Sequence, residues 1–99
     1  MPYFKVMLVG RGISYPSSNG GDPIIGFFTT RLIKATDETH AQHLAKEAVL
    51  AEWRPGGEYA SANAGSLPAL TVDDSWRVGP LSGIFGRRPR GYAFYRRED

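Results

Sequence analysis

The stretch that settles the fold class is Ile24 to Trp53. It reads IIGFFTTRLIKA over residues 24–35 and TDETHAQHLAKEAVLAEW over residues 36–53. In the first half, Phe27, Thr29, Arg31, Ile33 and Ala35 alternate with Phe28, Thr30, Leu32 and Lys34. That period of two, with aromatic and β-branched residues throughout, predicts a strand. Gly26 marks either a bulge or the close approach of another backbone. In the second half, Thr36 and Asp37 suit a helix N-cap, and Asp37 and Glu38 suit the positive end of the helix dipole. Ala41, Leu44, Ala45, Ala48, Val49 and Trp53 then recur at helical spacing, predicting a helix over His40 to Trp53. The small residues of that stripe let the helix lie close on a sheet, and Pro55-Gly56-Gly57 ends it.

Working outward, Tyr3 to Val9 (YFKVMLV) predicts a strand with Phe4, Val6 and Leu8 on one face. Both faces are largely apolar, as in a central strand. Ser14 to Pro23 (SYPSSNGGDP) is rich in turn formers and reads as a wide hairpin connection. Glu58 to Ser66 reads as a linker. Leu67 to Val78 holds a third strand, with Leu70 and Val72 on one side and a turn or bulge at Asp73-Asp74-Ser75. Gly79 to Gly91 reads as loop, Gly91 to Tyr95 (GYAFY) as a short last strand, and Arg96 to Asp99 as a charged end. The expectation is a single α+β domain over residues 1–99. Its order is ββαββ: a mainly antiparallel sheet of about four strands with one helix packed on one face. Such a sheet leaves one face and its edges uncovered, which favours pairing with a second copy, so a homodimer is expected.

The bulk composition narrows the chemistry. Ninety-nine residues suffice for one domain and one modest core. With no cysteine there is no disulfide framework, no thiol nucleophile and no zinc site built on cysteine. Met1 to Gly10 lacks the pattern of a signal peptide, and no apolar run approaches the ~18 residues of a membrane span. A soluble, cytoplasmic protein without membrane contact is the resulting expectation. Net charge is only +2, but six of the nine arginines fall between Arg77 and Arg97, while most acidic residues lie between Asp37 and Asp74.

At Gly26-Phe27-Phe28-Thr29-Thr30-Arg31, followed by Ala35 and a helix start over Glu38 to Ala41, the chain resembles a group of small uncharacterised bacterial proteins. They carry a Gly-Phe-aromatic-Thr-Thr-Arg strand, an Ala and a single helix, and they end in a Gly-x-x-Phe-aromatic strand. The matching end here is Gly91-Tyr92-Ala93-Phe94-Tyr95. The resemblance covers residues 24 to 53 and 91 to 95. In the family, Pro and acidic residues usually follow the last aromatic, whereas Arg96-Arg97 follow it here. The family has no established activity, so the resemblance implies fold and size and transfers no site.

Few residue sets carry recognisable chemistry. His40 and His43, with Glu47 four residues on, share a helix face, but HxxH supplies two ligands where a zinc site needs three or four. A solvated polar flank accounts for them as well. Arg31, mid-strand on a partly apolar face, must find an anion or remain exposed. It suits anion or partner binding beside Thr29, or else a structural ion pair with Glu38, Glu58 or Asp73. Adjacent strand residues point to opposite faces, so Asp73 and Asp74 do not suit paired acid/base work. Gly79-Pro-Leu-Ser-Gly-Ile-Phe-Gly lacks the Gly-Lys-Ser/Thr end of a phosphate loop. No cofactor is implied. An enzyme would need His40 or His43 brought near Arg31 or Asp73.

The tail has the strongest composition signal. Arg87, Arg88, Arg90, Arg96 and Arg97 bracket Tyr92, Phe94 and Tyr95. Arginines neutralise phosphates and aromatics stack bases. The same residues equally suit a last strand with its aromatics in the core and arginines protecting its edge. The leading expectation is a non-enzymatic binding or regulatory module acting as a small homodimer. The alternative is a nucleic-acid-binding protein using Arg31, Arg87, Arg88, Arg90, Arg96 and Arg97 with Tyr92 or Tyr95.

Overall fold

A computed structural model of the chain describes residues 2–16, 20–79 and 91–96. In chain order the elements are β1 (Tyr3–Tyr15), β2 (Ile24–Lys34), α1 (Glu38–Trp53), β3 (Ala69–Val78) and β4 (Tyr92–Arg96). The four strands form one antiparallel sheet in the order β3-β1-β2-β4, so the two most apolar strands are the central pair. The expected ββαββ, α+β architecture is the one observed.

Pairing register fixes which side chains share a face. Phe4 lies opposite Ile33, Val6 opposite Arg31, Leu8 opposite Thr29 and Gly10 opposite Phe27. On the flanking strands, Val72 and Leu70 join that face from β3, and Tyr92 and Phe94 from β4. This inner face takes the helix. Ala41, Ala45, Val49 and Trp53, spaced one turn apart, are all buried against it. Three of those four residues are Ala or Val, so the helix backbone sits close to the sheet, and Trp53 fills the space at the far end. Each large side chain fully buried here, such as Val6, Leu8 or Phe27, contributes roughly 1.5–3 kcal/mol by leaving water. Ala48, expected on the stripe, is exposed, because the buried positions follow a strict four-residue step.

The helix begins two residues before His40. Asp37 is the N-cap, and its carboxylate accepts the His40 backbone N–H at 2.8 Å. At the other end the Arg54 N–H returns to the Leu50 carbonyl, and Gly56 takes φ of 91° in the turn that follows. That left-handed backbone is one that glycine adopts without steric cost.

Two differences from the sequence expectation have physical causes, and one choice that it left open is decided. β1 does not stop at Val9 but runs to Tyr15, with an irregularity between Arg11 and Tyr15 at its pairing with β2. Gly10 forms no break because the Phe27 ring lies over it, in space a Cβ would occupy. The segment Glu58 to Ser66 is no free linker. Asn63 accepts the Ser14 N–H at 2.9 Å, Ala64 N–H donates to the Ser14 carbonyl and Ser66 N–H to the Gly12 carbonyl, which fastens the segment to the end of β1. Finally, the Asp73-Asp74-Ser75 irregularity is a bulge and not a turn. Asp74 pairs with Met7 and Val72 with Leu8, leaving Asp73 outside the ladder.

Candidate functional site

The segment Gly26 to Arg31 and the segment Gly91 to Tyr95, far apart in sequence, are neighbours in the sheet. Thr29 lies opposite Tyr92, Phe27 opposite Phe94 and Gly26 opposite Tyr95. Two surfaces follow from this pairing, one on each face.

On the inner face a polar cluster is enclosed. Arg31 is 6% exposed and its Nη1 donates to Glu52 Oε2 at 2.8 Å. Its Nε donates to Thr29 Oγ1 at 3.2 Å, and the Thr29 hydroxyl donates in turn to the Gly91 carbonyl at 2.9 Å. The Tyr92 hydroxyl donates to Glu52 Oε1 at 2.8 Å, and the Arg31 guanidinium stacks 5.2 Å from the centre of the Tyr92 ring. One helix carboxylate thus holds β2 and β4 together. The buried charge is compensated, as it must be. Arg31 therefore has an ion-pair partner, but it is Glu52 and not Glu38, Glu58 or Asp73. Glu52 sits one residue before buried Trp53, on the flank of the helix that overhangs β2. Burial raises the Tyr92 phenol far above its ordinary value of 10, the bond to Glu52 raises it further, and Trp53 and Arg31 offset a smaller part. Tyr59 is raised too, first by burial and then by Glu58 and Glu52.

Around this cluster, aromatic rings fill the space below the helix end. Phe27 stacks on Trp53 at 5.4 Å, Trp53 on Tyr59 at 4.8 Å and Tyr92 on Phe94 at 5.3 Å. Trp53 Nε1 is the one buried side-chain polar atom among the described residues without a hydrogen-bond partner.

The outer face is different. No described element covers it. It presents Phe28, 46% exposed, and Trp76, 38% exposed. Phe28 and Tyr95 contact each other there, ring centres 5.6 Å apart and tilted by 46°. The Tyr95 ring lies over Gly26, where a Cβ would overlap it. Val9, Arg11, Ile25, Phe28, Asp73, Tyr95 and Arg96 line a groove of about 560 Å³ at this end of the face.

The expected contact residues divide accordingly. Arg31 and Tyr92 face inward, each bonded to Glu52. Tyr95 and Arg96 line the outer groove. Arg87, Arg88, Arg90 and Arg97 lie outside the described residues. His40 turns its ring back to Thr36, Nδ1 to Oγ1 at 3.0 Å, and His43 is exposed. Among the described residues no group of three or more His, Cys, Asp or Glu converges as metal ligands would. Nor is any helix among them long and apolar enough to cross a membrane.

Three residues of these surfaces escape a reading of motifs. Glu52 resembles any solvated helix residue. Arg11 lies past Gly10, where the strand pattern in the sequence stops. Phe28 carries a usable signal, a large aromatic on the face opposite Phe27. Comparisons with protein-family models, with curated proteins and with solved structures each find no match to this chain.

Proposed function

We propose that the chain is a non-enzymatic binding module whose working surface is the outer face of the sheet. One contrast carries this reading. Arg31, Glu52 and Tyr92 of the inner face bond to one another, whereas the outer face sets Phe28 in contact with water beside a groove and exposes Trp76 further along the sheet. Apolar surface gathered beside a groove suits interaction, and large aromatics carry much of the energy where interfaces form. The sheet edges are poorer docking sites. β4 has only five residues, and β3 carries the bulge at Asp73 beside a second aspartate, both of which discourage strand addition.

A second copy is the partner available to any such face, and the small homodimer forms through it when no other ligand holds it. Size-exclusion chromatography with light scattering tests this. Wild type is expected at dimer mass, and the Phe28→Ser/Trp76→Ser double variant at monomer mass with unchanged circular dichroism. A wild-type chain that stays monomeric at every concentration would exclude the dimer.

A further inference from the structure

We infer that the groove at Phe28 and Tyr95 is a site for one nucleotide unit of a single-stranded nucleic acid. The base stacks on the aromatic pair, the phosphate meets Arg11, and an amino group of the base meets Asp73. This rests on the outer face being the working surface and names its occupant.

Four observations lead there. Phe28 and Tyr95 offer adjoining π-surfaces at the sheet surface, and the Tyr95 ring lies over Gly26, where no side chain displaces it. Bases stack on such platforms regardless of sequence. Arg11 is exposed and lines the groove, and among the described residues it forms no ion pair. A guanidinium so placed suits a phosphate. Asp73 stands outside the ladder at the bulge, lines the same groove and does not pair with Arg11. Carboxylates accept from the exocyclic amino groups that cytosine, adenine and guanine carry, whereas uracil and thymine offer only a ring N3–H. A ligand with a flat ring, an anion and an amino donor matches all of these at once.

The face also continues beyond one nucleotide. Four residues along β1 from Val9, about 13 Å, Lys5 and Trp76 lie side by side on the same face. A second cation and a second exposed ring fit an extended strand and not a free mononucleotide.

Fluorescence anisotropy with labelled 12-nucleotide RNA and DNA strands, at low and moderate salt, tests this on the full chain. Unlabelled cytidine monophosphate serves as competitor. Micromolar binding is expected, with the mononucleotide competing at least a hundredfold more weakly than the strand. Phe28→Ala should weaken binding about tenfold, the scale of one lost stack. Arg11→Gln should flatten the slope of log K against log salt by about 0.7, one phosphate contact on a single strand. Arg54→Gln removes the same charge from the helix side and should change neither.

Asp73→Asn should level the preference of oligo-C over oligo-U, a readout that a purely structural role would not move. No binding by either strand at low salt overturns the inference. So does binding that Phe28→Ala leaves intact, or binding weakened equally by Arg54→Gln and Arg11→Gln. Light scattering on the same samples keeps the two proposals apart. A face dimer that ignores nucleic acid retains the working surface and removes this occupant. Nucleic-acid binding by a chain that never dimerises removes the dimer alone.

Discussion

Glu52 on the helix holds Arg31 of β2 and Tyr92 of β4 at the same time, each at 2.8 Å. Three elements that share no sequence neighbourhood meet in one carboxylate. Arg31 is a charge on the helix-covered face of the sheet, so its stability depends on that carboxylate remaining in place.

Glu52→Ala should therefore destabilise the fold by about 3 kcal/mol, because it leaves Arg31 buried without a counter-charge. Removing both partners should cost less than the two single changes together. Replacing Arg31 with Met in the Glu52→Ala background is expected to recover part of the loss, since no unpaired charge is then buried. Urea denaturation of the two singles and the double completes the cycle. Additive losses would mean the pair is not coupled.

Tyr92 links the same cluster to pH. Its phenol is raised in the folded state, so the folded chain binds the proton more tightly than the unfolded chain. Stability from this group is complete below the unfolded value near 10 and is lost as pH rises above it. Tyr59 shifts in the same direction. Tyr92→Phe should cost about 1.5 kcal/mol at neutral pH through the lost bond to a carboxylate. It should also lose less stability than wild type between about pH 8 and pH 11. Urea midpoints at those two values check the sign, and an equal fall in both proteins would contradict it.

Gly10 and Gly26 each lie under an aromatic ring, but the rings differ in freedom. Phe27 over Gly10 is fully buried and stacked on Trp53, so it has nowhere to go. Gly10→Ala should cost about 2 kcal/mol as an overpacked core does. Tyr95 over Gly26 belongs to the short edge strand and can swing outward. Gly26→Ala should cost about 1 kcal/mol or less and should displace the ring from Phe28. Thermal melts measure the first difference. The Phe28–Tyr95 nuclear Overhauser contact reports the second.

Asp37→Ala removes the side-chain acceptor of the His40 N–H at the helix start. A loss of about 1 kcal/mol is expected. Asp37→Asn should restore most of it, because the amide oxygen still reaches the His40 N–H. Thermal midpoints of the three proteins decide the ranking.

Much of the fold is legible in local pattern. The alternation across Phe27 to Ala35, the cap at Asp37, the helical recurrence ending at Trp53 and the strand at Tyr3 to Val9 each follow from short-range sterics and from the separation of apolar from polar side chains. Those forces act between residues close in the chain, so the sequence displays them directly. The bulge at Asp73 and the close approach at Gly26 are readable for the same reason: acids in mid-strand and a glycine among aromatics conflict with their surroundings. The partner of Arg31 is a different kind of fact. It depends on how far the helix overhangs β2, and Glu52 bears no local mark that separates it from Glu47, which faces water. The division of the tail aromatics, Tyr92 inward to Glu52 and Tyr95 outward to Phe28, was equally invisible. Alternation requires that neighbours such as Tyr92 and Ala93 face opposite ways, but which set faces the helix is set by the pairing of β4 with β2. Local chemistry chose the elements of this chain. The register between strands distant in sequence chose which of its charged and aromatic groups are sealed inside and which lie on the uncovered face.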